Sequence, residues 1–303
     1  MIVVDPSYEI QDALDRLPLP RALEARGRIC YKSEDKISQD SAAPFLTKIA
    51  ASGHGSVLEM AAVTAEISCS AADIAALLAC QPRFLVVDGT ENGLLITASV
   101  RALRELAAAP VTSAVVAAVA KALAAKYPFL FTGVALPETA LPPPRFLTLD
   151  AVETLPESLL LRHRFLGVKF VVSRAVSHEL VRHRPCSFLQ ESQRYCNYGQ
   201  ARFGQHVSFI RPIFYPEGTS EFVCWQQAMA DAEAAYLHLL TTSSPQAART
   251  VLPNSCKTEI VVYCNLAEWR HIFRMRTTSA AEPSMRQIIL PLQAEMKERY
   301  SFL

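Results

Sequence analysis

The sequence is poor in glycine, with ten in 303 residues, and poor in charge, at 19%. Disordered and low-complexity chains are rich in one or the other, so a packed chain is expected. An excess of one charge sign is also missing, since 30 Lys and Arg stand against 29 Asp and Glu. That argues against duplex DNA or bulk RNA as a partner, and any anion must be held by a local cluster. The eight cysteines, Cys30, Cys69, Cys80, Cys186, Cys196, Cys224, Cys256 and Cys264, form no C-x-x-C pair. Zinc-site spacing is therefore absent, and most of them read as small buried hydrophobes of a reducing compartment. No hydrophobic run is long enough to cross a bilayer: the longest, Ala107 to Ala120, is broken by Pro110 and stopped by Lys121. Met1 to Arg16 carries acids and lacks the apolar centre of a signal peptide, so a cytoplasmic, membrane-free protein is expected. A G-x-G-x-x-G turn is also missing, and with it support for a Rossmann dinucleotide site.

Half of the residues are hydrophobic, enough to bury a sizeable core. Pro44 to Ser52 has helical spacing, ended by the Ser-Gly-His-Gly-Ser stretch at 52–56, and Val63 to Ile67 alternates like a strand. Ala71 to Ala79 and Val111 to Lys126 are Ala-rich helical patterns, and the four prolines of Leu136 to Pro144 mark a loop. Residues 70–165 hold little polar chemistry apart from Arg101 and Arg104 in a helical run. Val168 to Val172 reads as a strand running into a helix from Ser173 to Arg184, which Pro185 should end. Helices are also expected over Glu221 to Leu240, over about 265–276 after the apolar Ile260 to Tyr263, and over 284–300. The pattern is α+β (mixed α/β), with no internal repeat.

Polar chemistry is densest at Arg182-His183-Arg184-Pro185-Cys186-Ser187, continuing to Gln190, Ser192, Arg194 and Tyr195. Three cations at a helix end can simply complement its dipole. The following residues ask for more. If the chain is extended there, Gln190, Ser192 and Arg194 share one side, and a guanidinium, a hydroxyl and an amide together suit a phosphate monoester. A surface salt-bridge patch is the alternative. In the helix near the C-terminus, Leu266, Trp269, Ile272, Phe273 and Arg276 share a face. Arg276 then needs a polar or anionic partner, whether a ligand or a structural ion pair.

Two other chemistries are weaker. His178-Glu179-Leu180-Val181-Arg182-His183 places its second His at i+5, roughly 140° round the helix, where a zincin needs i+4. Pro185-Cys186 is similar to the nucleophile of cysteine-dependent thymidylate synthases, without the surrounding sequence. Ser192 has no readable Asp–His pair to activate it.

Arg182 to Ser192, with Ser187, Arg194 and Tyr195, resembles the R-H-R signature of flavin-dependent thymidylate synthases. Three further blocks resemble the family in its order: Gly53 to Glu59, Ala248 to Pro253, and Asn265 to His271 with Phe273 and Arg276. The resemblance covers about 1–70 and 166–300. It implies a single domain over 1–303, built as a sheet flanked by helices, with 70–165 as a largely helical inserted subdomain. It also implies conversion of dUMP to dTMP with FAD, 5,10-methylenetetrahydrofolate and NADPH, in a homotetramer whose sites lie at subunit interfaces, and no metal. Carried over residue by residue, Arg276 would be catalytic at the uracil ring. Ser192, Arg194 and Arg249 would hold the phosphate of dUMP, with Glu179, Arg182, Gln190, Glu191 and Gln193 nearby. FAD would meet His54, Ser56, Glu59, Arg182, His183, Arg184, Gln190, Asn265 and His271. His54 reads equally as a turn residue between two glycines. Leu189, Met60, Ala267, Glu179 and Ala281 to Arg286 depart from the family pattern. A homologue that binds flavin and nucleotide without turnover is the alternative.

Overall fold

The computed structural model describes residues 1–303. The chain opens with two short strands, β1 (Ile2–Val4) and β2 (Ser7–Ile10), then helices α1 (Asp12–Asp15), α2 (Leu19–Ile29) and α3 (Ala42–Ser52). A 3-10 turn over Gly55–Glu59 leads into β3 (Ala62–Ser68). The next stretch holds α4 (Ala71–Ala79), β4 (Leu85–Thr90), β5 (Gly93–Ser99), α5 (Val100–Ala107), α6 (Ala114–Lys126), β6 (Arg145–Phe146), α7 (Leu149–Glu153) and α8 (Glu157–His163). The remainder is β7 (Phe165–Ser173), α9 (Arg174–Leu180), β8 (Ser187–Gln190), β9 (Ser208–Ile210), α10 (Ser220–Leu239), α11 (Pro245–Ala248), β10 (Lys257–Asn265), α12 (Leu266–Arg276) and α13 (Pro283–Arg299).

Two antiparallel sheets organise these elements. The first has the order β2-β7-β10-β8, the second β4-β5-β3-β6, while β1 and β9 form a parallel pair. In the first sheet β7 and β10 pair along their full lengths, Lys257 opposite Ser173 and Asn265 opposite Phe165. Both strands are rich in buried Val, Ile and Phe, as central strands covered on both faces must be. On one face lie α9, α12 and α13, packed through Leu180, Trp269, Phe273, Ile289 and Leu292. The protein is thus mixed α/β, as the sequence pattern implies.

The 70–165 stretch does not stand as a body of its own. β3, from the preceding segment, pairs with both β5 and β6. Leu94 and Ile96 of β5 and Val115, Val116 and Val119 of α6 share one core with Leu23, Leu46, Leu58, Val261 and Tyr263. The stretch is also less purely helical than expected, because β4 and β5 form a hairpin. A polar chain adds to the joint. Thr64 bonds Thr97, Thr97 bonds His163 Nδ1 at 2.8 Å, and His163 Nε2 bonds Asp88 at 2.8 Å. Burial holds the His163 pKa below its ordinary value.

Two expectations fail around the R-H-R run. The helix ends at Leu180, not Arg184. Val181 is its C-cap, and Arg182 and His183 donate their backbone N–H groups in three-residue turns to Glu179 and Leu180. Pro185 disfavours helical geometry only at Arg184, and the earlier stop follows from the tighter turns that replace the α-helical bonds at Arg182 and His183. Nor do Gln190, Ser192 and Arg194 line one side of an extended chain. β8 stops at Gln190, whose amide turns inward to Ser177 and Thr258 at 2.9 and 3.1 Å. The N–H of Ser192 leaves the sheet to bond Cys30 at the end of α2, and Tyr195 N–H closes a turn on Ser192.

Candidate functional site

The polar groups of the R-H-R region and α12 meet over the first sheet. Asn265 caps α12, its side-chain oxygen accepting from Glu268 N–H at 2.9 Å while its amide donates to the Arg162 carbonyl at 3.0 Å. The cap fixes the rotation of α12, which buries Leu266, Trp269, Ile272 and Phe273 and brings Arg276 over α9. There Arg276 Nη1 donates to the Glu179 carboxylate at 2.6 Å, Nη2 to the Glu179 carbonyl at 3.2 Å, and Nε to His183 Nε2 at 3.1 Å. The polar partner demanded by its place on the apolar face is therefore present within the chain. A guanidinium has five N–H donors, and three are used here, so two stay available for a ligand.

His183 is buried and stands edge-on to His271, with ring centroids 5.9 Å apart. Burial, then the charges of Arg276 and His271, hold its pKa at about 4. Since Nε2 accepts from Arg276, the proton of the neutral ring sits on Nδ1. Nδ1 faces Glu268 Oε1 at 3.7 Å, beyond hydrogen-bond reach, which leaves that oxygen buried without a partner. Burial pushes the Glu268 carboxyl upward.

His183, Glu268 and His271 bring their ligating atoms within 4.8 Å of one another, the spacing of a metal cluster. The donor chemistry disagrees. A cation bound at Nδ1 of His183 would put a proton on Nε2, directly against the Arg276 N–H. His271 Nδ1 likewise accepts from Arg274 at 3.0 Å. Two guanidinium groups already occupy the lone pairs that a metal would need, and their charge opposes a second cation.

The remaining candidates lie in two other groups. His54 Nδ1 bonds the Tyr31 hydroxyl at 2.7 Å, and Tyr31 also packs against Tyr195, ring centroids 6.1 Å apart. Beside it, Arg194 stacks on Tyr195 and donates to Gln246 on α11 at 3.0 Å, and Arg249 begins the turn after that helix. Ser192 accepts from the Arg194 N–H and has no imidazole at hand. Glu59 pairs instead with Arg101 of α5 at 2.6 Å. Among the hydrogen bonds, ion pairs and ring contacts, none joins the His54–Tyr195 group to the Arg276 group.

Arg182 and Arg184 are exposed, and Arg249 is half-buried. Ser56 lies half-buried in the turn ahead of β3. The side chains of Glu191 and Gln193 are buried and committed elsewhere. Glu191 takes Lys257 and the Tyr198 hydroxyl, and Gln193 takes Arg174. Contact of these two with a ligand would have to use the backbone. Tyr31 and Glu268 join these groups without a role expected from the sequence, and Arg101 is more than a cation in a helical run. Glu268 lies within the Asn265 to His271 block but is given no role there, while Tyr31 and Arg101 meet His54 and Glu59, partners far away in the chain.

Residues 158–300 match the family model described as thymidylate synthase complementing protein. The matched stretch contains the R-H-R run, the Arg249 turn and α12. Similarity to individual members agrees. The flavin-dependent thymidylate synthase of Pyrococcus furiosus is 31% identical over 128 residues, covering 42% of this chain and 52% of the relative. That of Corynebacterium aurimucosum is 33% identical over 144 residues, covering 42% and 55%. That of Mycobacterium tuberculosis is 32% identical over 129 residues, covering 39% and 52%. The chain thus spans about half the length of the relatives it matches. The His54–Glu59 block falls outside the stretch matched by the family model. No helix of the chain is long and apolar enough to cross a membrane.

Proposed function

We propose that the protein is a flavin-dependent thymidylate synthase, converting dUMP to dTMP with 5,10-methylenetetrahydrofolate as carbon donor and NADPH as reductant. The observation that carries this reading is the Arg276 fork, fixed by Glu179 and His183 inside the segment that matches the family.

The donor set fits a flavin nucleotide. Arg182 and Arg184 are exposed cations beside the neutral His183, and Glu268 keeps a buried oxygen without a donor. A diphosphate suits the guanidinium groups, and a ring N–H suits the carboxylate. When bound, FAD would supply the hydride that completes the methyl group. The chain's own task is electrostatic. The two free N–H groups of Arg276 would face a uracil carbonyl and stabilise the negative charge that grows as C5 attacks the methylene carbon. Glu179 and His183 hold that fork in place before substrate arrives, so little reorganisation is needed. The neutral His183 adds no competing positive charge. Ser192, Arg194 and Arg249 would take the phosphate, and His54, Ser56, Glu59, Asn265 and His271 would border the flavin.

Within one chain the phosphate candidates and Arg276 form separate groups. A substrate touching both is most simply held between copies, and we take the active form to be a homotetramer in the cytoplasm. The family's own arrangement of a sheet flanked by helices belongs to the same reading.

A second reading is a homologue that binds flavin and nucleotide without turnover. It draws on the Glu179–Arg276 pair, which satisfies Arg276 with no substrate at all. The visible spectrum of purified protein, before and after denaturation, tests the shared part of both readings. Released FAD supports it, and a colourless protein that takes up no FAD excludes it.

A further inference from the structure

The 70–165 stretch reaches the candidate site through α5 and the turn between α4 and β4. Arg101 of α5 pairs with Glu59 at 2.6 Å and with Glu105 at 2.6 Å. Its stem lies across Gly55, where a Cβ would stand 2.9 Å from both Cδ and Nε of Arg101. The glycine before Ser56 therefore makes room for this arginine. Next to it, Glu59, Phe84, Arg101, Pro185, Cys186 and Ser187 border a cavity of about 110 Å³. Phe84, one of the lining residues, is 72% exposed.

Phe84 is held there against two ordinary preferences. A large apolar ring is left in water, and its backbone has φ +61°, a left-handed conformation that a bulky residue rarely adopts. Gln81, at the start of the same turn, is also left-handed, at φ +47°. Strain of this kind persists where the surroundings enforce it, and it gathers at ligand clamps. Pro185 and Ser187, shortly after the R-H-R run, line the same cavity.

We propose that Phe84 is a ligand-stacking residue: it covers a planar heteroaromatic ring seated against Pro185–Ser187, while Arg101 positions Glu59 beside that ring. This rests on the thymidylate synthase reading, in which the ring belongs either to the flavin or to the pterin of the folate. An aromatic face stacks on any such ring, and its removal typically weakens binding by about tenfold or more.

The test uses the full chain with Phe84→Ala and Phe84→Gly. Glycine suits the left-handed backbone, so F84G is expected to melt no lower than wild type while losing affinity. A residue placed for packing alone would show a lower Tm and unchanged affinity. If the ring is flavin, FAD titrated into apoprotein binds about tenfold weaker in both variants, and Phe84→Trp restores it. If the ring is pterin, FAD binding is unchanged and the KM for methylenetetrahydrofolate rises by a similar factor, again restored by Phe84→Trp. Folded F84A and F84G with wild-type values for both ligands would overturn the proposal. A wild-type protein that binds no FAD or makes no dTMP would instead refute the underlying reading, whatever the variants do.

Discussion

Arg276 and His183 are bonded so that the imidazole must stay neutral: the guanidinium Nε donates to His183 Nε2 at 3.1 Å. Protonating the ring would set two donors against each other in a buried place. The pair therefore links the state of a catalytic candidate to that of the R-H-R run, which a lone arginine on an apolar face does not reveal.

Arg276→Ala tests this link in the reaction. The variant should fold, keep flavin and accept electrons from NADPH, yet form dTMP on the order of a hundred- to a thousandfold more slowly, the usual cost of removing one preorganised donor. Lysine should rescue only partly, because a point charge cannot bond Glu179 and His183 and still offer a planar fork. Flavin bleaching and product formation time the two half-reactions separately. Near wild-type dTMP formation per folded flavin site would leave Arg276 a structural ion-pair residue only.

Burial of His183, reinforced by the charge of Arg276, gives stability a pH dependence. His183 falls from an ordinary 6.5 to about 4 on folding. Its contribution is complete above pH 6.5 and declines as pH drops toward 4, because the unfolded chain takes up the proton first. Glu268, shifted upward, acts in the opposite sense and offsets part of the loss. Tm should therefore fall between pH 6.5 and 4, and His183→Asn should flatten that decline. An unchanged pH profile in the variant would contradict the assigned state of His183.

Gly55→Ala tests the Arg101 contact without touching a charged group. The added methyl, 2.9 Å from Cδ and Nε of Arg101, should push the side chain off Glu59. FAD affinity should fall severalfold in both Gly55→Ala and Arg101→Ala, and the double variant should lose little more than either alone, as coupled sites do. Full additivity would mean that the two act independently.

Cys186 lies buried beside Cys264, whose thiol burial and then Cys186 push well above its usual range. The flavin route proposed above needs no cysteine adduct. Cys186→Ala should therefore retain measurable dTMP formation. Its loss, with FAD and dUMP still bound, would favour a cysteine adduct and defeat the flavin route.

Much of this architecture was legible because local signals agreed with packing. Ser70 and Asp73 form a reciprocal cap, so α4 lies where its alanine-rich pattern indicates. The apolar face of α12 likewise placed Arg276. The β4–β5 hairpin is signalled only by Asn92-Gly93, because its strands do not alternate apolar and polar residues and Leu94 to Ala98 is buried throughout. Alternation beyond Gln190 failed for another reason: the Ser192 N–H bonds to Cys30, a tertiary contact that takes the chain out of the sheet. The Tyr31–His54 and Arg101–Glu59 contacts join residues 23 and 42 positions apart, and no local pattern encodes such meetings.

The most direct test of the central claim is dTMP formation by the purified full chain, stripped of bound flavin, supplied with dUMP, methylenetetrahydrofolate, NADPH and FAD and then with each omitted in turn. The account predicts product only when all four are present, with NADPH consumed and the flavin cycling between its reduced and oxidised forms. FAD and dUMP bound to folded protein, with no dTMP above background, would contradict it.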